Sequence, residues 1–168
     1  MLPTRKTTRL QGYDYAQEGM YYVTICTHER EHTLGTIVDA TFVENAFGAI
    51  VRQYWEAIPL HAPAFLDAFI VMPNHVHGIV AICYDNNVYG KRAGHAAAPT
   101  ARRQTIGNIV GSFKSAVTKR INETRGTVAA PVWQRNYYDH VIRNETDLQR
   151  IRAYIMDNPR NWEHDEWL

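Results

Sequence analysis

Two apolar runs, Leu66 to Met72 and His75 to Ile82, are separated only by Pro73-Asn74. Such a break between strand-forming residues predicts a β-hairpin, and the rest of the chain has to be arranged around it. Strand side chains alternate between faces, so His75 and His77 point the same way while Val76 points into the core. Two imidazoles on one strand face can share a divalent cation. Imidazole suits several metals, so the pair does not choose the ion. Taken alone, a His-x-His more often marks two half-exposed strand residues than a metal site.

The flanking sequence supplies the other elements. Met20 to Thr27 is rich in β-branched and aromatic residues and predicts a strand; a shorter one is expected around Gly35 to Val38. From Thr41 to Ala57 the residues Phe42, Ala46, Phe47, Ile50, Val51, Tyr54 and Trp55 recur at three- and four-residue steps, which predicts an amphipathic helix ended by Pro59 and Pro63. Thr105 to Thr124 predicts a second helix, with Ile106, Ile109, Val110, Phe113, Val117 and Ile121 as its stripe and Gly126 as its stop. Val132 to Arg143 reads as an irregular aromatic segment entering a strand. Asn144 is a cap for a third helix, running through Leu148, Ile151, Tyr154 and Ile155 to Asn158, with Pro159 closing it. The order β-β-α-β-β-α-β-α favours a mainly antiparallel sheet with helices packed on it.

A length of 168 residues suits one domain, 1–168, with a basic arm at 1–19 and a flexible basic loop at 84–103 carrying Lys91, Arg92, Arg102 and Arg103. Most of that loop reads as a solvated connector; a flank for a nucleic-acid groove is the sharper alternative. The formal net charge is only +1, so any nucleic-acid binding has to come from a local patch. Cys26 and Cys83 form no zinc spacing and suggest no disulfide framework, which fits a reducing compartment. No run approaches the length of a membrane span and no secretory leader is recognisable, so a cytoplasmic protein is expected.

The third helix carries the chemistry. Tyr154 and Asn158 are one turn apart on one face, at the edge of the apolar stripe. They are expected to border the sheet without full burial. A tyrosine there is by base rate a rim aromatic, but the combination adds meaning. Two imidazoles and an amide oxygen offer three neutral ligands to one cation and leave positions open for substrate. A phenol beside them is laid out for attack on a phosphodiester. Phenol, with its usual pKa of about 10, needs such an activated electrophile.

Met72-Pro73-Asn74-His75-Val76-His77, then Val132 to Asn144, then Ala153-Tyr154-Ile155-Met156-Asp157-Asn158-Pro159 resemble the single-tyrosine HUH transposases, and most nearly the REP-associated tyrosine transposase branch. Gly12-Tyr13-Asp14-Tyr15 and Tyr22 to Thr27 match that branch's usual opening. The resemblance implies an α+β fold: a ferredoxin-like or RRM-like antiparallel sheet with helices packed on one face. It implies that His75 and His77 are metal ligands, that Asn158 is the third, and that Tyr154 is the nucleophile. Tyr154 would cleave single-stranded DNA, keep a 5′-phosphotyrosine link and release a 3′-hydroxyl. The cofactor implied is Mg²⁺ or Mn²⁺. The implied partner is single-stranded DNA that forms hairpins from palindromic repeats, and relatives include both monomers and homodimers.

Other residues remain open. Tyr137 and Tyr138 compete for the nucleophile's role but read as packing or base-stacking groups, since no ligand-type residue stands one helical turn away. His140 reads as a structural partner of Asp139, with DNA contact as the alternative. Arg135, Arg143 and Lys114 are candidate phosphate contacts against plain surface charge. A non-catalytic single-strand-binding module and a small-phosphoester hydrolase are the competing functions.

Overall fold

Strand β1 (Gly19–Cys26) lies inside a four-stranded sheet of order β4-β5-β1-β6 in the computed structural model, which describes residues 12–84 and 103–164. The arm residues Arg5, Lys6 and Arg9, the loop residues Lys91, Arg92 and Arg102, and Trp167-Leu168 lie outside the described residues. The remaining sheet strands are β4 (Ala64–Val71), β5 (His75–Ile82) and β6 (Tyr138–Ile142), and every pairing is antiparallel. The β4–β5 hairpin turns at Pro73-Asn74, as its sequence requires, and β5 lies against β1 with Thr24 opposite His77 and Cys26 opposite His75. Between β1 and β4 the chain makes a small hairpin, β2 (Gly35–Val38) with β3 (Thr41–Glu44), then helix α1 (Ala46–Glu56) and the single turn α2 (Ile58–His61). Helix α3 (Ile106–Arg125) precedes β6, and α4 (Glu145–Asp157) comes after it. The sheet strands and α1 and α3 thus run β-α-β-β-α-β, the ferredoxin-like arrangement, with α4 added.

The three long helices, α1, α3 and α4, start where a side chain can cap them. Asn45 Oδ1 accepts from the Phe47 and Gly48 N–H groups, so α1 begins after Asn45. The expected helix start at Thr41 is therefore too early: Thr41-Phe42-Val43 is β-branched and aromatic and pairs with β2 instead. Pro59 does not end the helical stretch outright but sits in the first turn of α2, where its missing N–H costs nothing. Thr105 caps α3 and Gly126, at φ 68°, ends it; Asn144 caps α4.

The two faces of the sheet carry separate cores. Tyr21, Val23 and Ile25 of β1 and Val76, Val80 and Ile82 of β5 join Val51, Trp55, Ile109, Phe113 and Val117 in the large cluster under α1 and α3. Tyr22 and Ile79 face the other way and meet Leu148, Ile151 and Ile155 of α4. The α+β class and the antiparallel sheet agree with expectation, but the helices are not all on one face: α4 occupies the opposite one. An apolar stripe requires a helix to pack and says nothing about which face it takes. A bidentate ion pair from Arg152 to Asp67 on edge strand β4 holds α4 there, at 2.7 and 2.6 Å.

Candidate active site

The face under α4 buries a group of polar side chains: Thr24, His75, His77 and Asn158. His75 and His77 are both 0% exposed, with ring centroids 4.4 Å apart. They share a face because β5 is regular from His75 to Ile82. Tyr154 lies over His77, ring centroids 5.2 Å apart, and remains 39% exposed. Asn158 is 2% exposed, and its Oδ1 has no hydrogen-bond partner among the described residues. Positions 148, 151, 155 and 158 fall on one helical stripe, so Asn158 takes the next core position after Ile155. The expectation that Asn158 only borders the sheet is corrected: it is buried, while Tyr154 reaches solvent.

Pro159 does not close the helical path either. The chain continues as a 3-10 helix from Asn158 to His164, because a proline is tolerated in the first turn of a new segment. This brings Trp162 back over the sheet, stacked on His75 at 6.0 Å and edge-on to His32 at 5.3 Å. Tyr154 thus covers His77, Trp162 covers His75, and Asn158 stands four residues from each, between them.

Both histidines are held by Nδ1. His75 Nδ1 donates to Asn74 Oδ1 at 2.7 Å. His77 Nδ1 lies 2.8 Å from the Tyr22 hydroxyl and 2.9 Å from Thr24 Oγ1. A neutral imidazole that keeps its proton on Nδ1 presents the Nε2 lone pair to a metal. Burial pushes His77 well below its usual pKa, and the neighbouring His75 adds to this, so His77 is neutral at pH 7. A buried imidazole pair on the sheet, with a buried amide oxygen lacking a partner on the helix that packs over it, is a donor set that suits a divalent cation such as Mn²⁺. Among the described residues no three His, Cys, Asp or Glu side chains cluster as a metal site; the third group able to ligate here is an amide.

The remaining candidates scatter. Tyr138 shares the histidine face, its ring 6.2 Å from that of Tyr22. His140 pairs with Asp147 of α4 at 2.7 Å rather than with Asp139. Adjacent strand residues point to opposite faces, which rules out the expected partner. Lys114 is half-buried and donates to the carbonyls of Gln134 and Arg135, at 2.6 and 3.1 Å, so its ammonium ties α3 to the segment before β6; burial lowers its pKa. Arg135 is exposed beside it, lining a cleft of about 660 Å³ on the α3 side of the sheet. Arg143 is exposed just past β6. Sequence reading missed Tyr22, Thr24 and Trp162. The first two share strand parity with the histidines' neighbours, a signal that becomes visible only once β1 is paired to β5 in register.

The chain matches no family model. It is 39% identical over 170 residues to an uncharacterised protein of Haemophilus influenzae, covering 96% of this chain and 92% of that one. A second H. influenzae protein, described as a REP-associated tyrosine transposase, is 24% identical over 147 residues, covering 87% of this chain and 73% of that one. Among solved structures, a REP-associated tyrosine transposase bound to a REP hairpin superposes with a TM-score of 0.57 at 18% identity, over 95% of this chain and 76% of that one. The fold and these likenesses define a transposase-family relative. The chain belongs to one family with the 39%-identical Haemophilus protein, and that family is related to the REP-associated tyrosine transposases. No helix among the described residues is long and apolar enough to cross a membrane.

Proposed function

We propose that this protein is a metal-assisted endonuclease and strand transferase acting on single-stranded, hairpin-forming DNA, with Tyr154 as its nucleophile. One observation carries the reading: an exposed phenol lies over one of two adjacent buried imidazoles, and an amide oxygen is buried one helical turn further along the phenol's own helix. The solved relative bound to a REP hairpin supports DNA of that kind as the substrate.

The residues divide the work between them. His75, His77 and Asn158 hold the cation; Mn²⁺ suits two imidazoles better than oxygen-loving Mg²⁺. The bound ion supplies positive charge that polarises the scissile phosphate and offsets charge developing on it. Tyr154 Oη attacks phosphorus and forms the new O–P bond as the bond to the 3′-oxygen breaks. The phenolic proton passes to solvent, the 3′-oxygen leaves and takes up a proton, and the DNA 5′-phosphate stays on Tyr154. Attack by another strand's 3′-hydroxyl reverses these bond changes and joins the strands. Trp162 and Tyr138 flank the approach and offer aromatic faces to unpaired bases. Arg135 and Arg143 serve as outlying phosphate contacts.

The test is covalent capture. Incubation with Mn²⁺ and single-stranded DNA bearing the palindromes beside its gene should give an SDS-resistant protein–DNA adduct. Tyr154→Phe should give none. An adduct that survives this substitution removes Tyr154 from the role, and DNA binding with no adduct under any metal leaves a non-catalytic single-strand-binding module.

A further inference from the structure

The two histidines look equivalent in sequence, but the groups that orient them are not. A ligand imidazole that offers Nε2 must keep its proton on Nδ1, and that N–H, buried here, needs an acceptor. At His75 the acceptor is Asn74 Oδ1, 2.7 Å away. Asn74 is itself 0% exposed, and its backbone carbonyl accepts from Thr27 N–H at 2.8 Å, so the turn that carries it is anchored to the end of β1.

At His77 the acceptor must be chosen between two hydroxyls. Thr24 Oγ1 donates its one proton to the Tyr22 hydroxyl at 3.1 Å. It has no second proton for His77, so at 2.9 Å it can only accept from Nδ1–H. The Tyr22 hydroxyl, which receives that proton, props Thr24 in this role rather than filling it. Its ring also meets the Tyr154 ring edge-on at 6.4 Å.

We propose that Asn74 and Thr24 are the positioning residues of the site, each fixing one histidine with its proton on Nδ1 and its Nε2 turned to the cation, and that Tyr22 supports Thr24 from behind. This deepens the metal-site reading and rests on it. It yields a ranking: loss of the acceptor at Asn74 or Thr24 matters more than loss of the Tyr22 hydroxyl. Partners of metal-bound histidines are typically worth about 10–100-fold in metal affinity.

The experiment uses the full chain with ¹⁵N-labelled histidine. Long-range ¹H–¹⁵N correlation of the metal-free protein should show His75 and His77 protonated at Nδ1. Thr24→Val, which keeps shape but removes the acceptor, should move the His77 proton to Nε2 and weaken Mn²⁺ binding about tenfold or more in titration. Thr24→Ser should restore both. Asn74→Leu should do to His75 what Thr24→Val does to His77, and Asn74→Asp, still an acceptor, should keep the parent's tautomer and affinity. Tyr22→Phe should leave the His77 tautomer unchanged and weaken Mn²⁺ less than Thr24→Val. A parent spectrum with His77 protonated at Nε2 overturns the assignment, as does a Thr24→Val protein with the parent's spectrum and affinity. If the parent binds no Mn²⁺, the metal reading falls by itself, because the metal-free spectra still decide the orienting roles.

Discussion

The sheet has one face built for stability and one that gives stability up. Under α1 and α3, Trp55 stacks on Phe69 at 4.9 Å and meets Phe113 edge-on at 5.4 Å, within a large and almost wholly apolar cluster. Under α4 the buried apolar cluster is Tyr22, Ile79, Leu148, Ile151 and Ile155, and the rest of the buried space goes to His75, His77, Thr24 and Asn158. Burying polar groups costs free energy unless each is satisfied, and here the satisfaction is incomplete at Asn158 Oδ1. The same sheet therefore separates holding the fold from offering ligands. Substitutions on the two faces should move stability in opposite directions.

The largest effect is expected on the apolar face. Trp55→Ala removes a fully buried indole and should cost about 3–5 kcal/mol, read as a lower urea midpoint at unchanged slope. Gly78→Ala tests the same face from the strand side. A Cβ at Gly78 would run into the six-membered ring of Trp55, so the cost should be about 1–3 kcal/mol even though only one methyl is added. A tolerated alanine would mean that α1 is less tightly seated than the structure shows.

On the other face the sign should reverse. Asn158→Leu places an apolar side chain at the position that continues the Leu148–Ile151–Ile155 stripe and removes the buried oxygen that lacks a partner. Metal-free protein should gain about 1 kcal/mol in urea unfolding and lose DNA–protein adduct formation. Loss of stability in this variant would mean that the amide is already satisfied in the fold and is not held for a ligand.

How much of this was legible in the sequence obeys the same division. Strand parity placed His75 and His77 together, since alternation is a local property of β5. The cap at Asn144 and the stop at Gly126 are equally local. The strand at Thr41–Glu44 is masked in the sequence because Phe42 and Ala46 happen to continue the helical spacing, although Asn45 can cap a helix that starts after it. What could not be read is tertiary. The stripe of α4 does not choose a face, His140 finds Asp147 only when α4 folds back, and Trp162 returns to His75 only because the chain coils on past Pro159. The rim position expected for Asn158 fails for the same reason: whether a polar residue at the end of a stripe is covered depends on the path of the chain beyond the helix.

The smallest expected effect concerns how α4 is held to so small an apolar cluster. Arg152 grips Asp67 through two hydrogen bonds, and both side chains are partly exposed, at 34% and 24%. The Arg152 hydrogen bonds hold the Asp67 carboxyl below its usual pKa, against the opposing effect of burial. A carboxylate with a depressed folded pKa contributes stability that is fully present above its unfolded value of about 4 and is lost as pH falls through the folded value. Solvent screening limits the pair to about 1 kcal/mol or less. Because the clamp joins α4 to β4 and touches neither α1 nor α3, its loss should act locally. Asp67→Asn should speed amide hydrogen exchange along α4 at pH 7 while leaving exchange in α3 near that of the parent. Lowering the pH below about 4 should bring the parent's α4 toward the variant, after correction for the intrinsic exchange rate, and narrow the difference between them. Equal acceleration in α3 and α4 would show that the two faces open together and that the α4 face is not the separately yielding part of the fold.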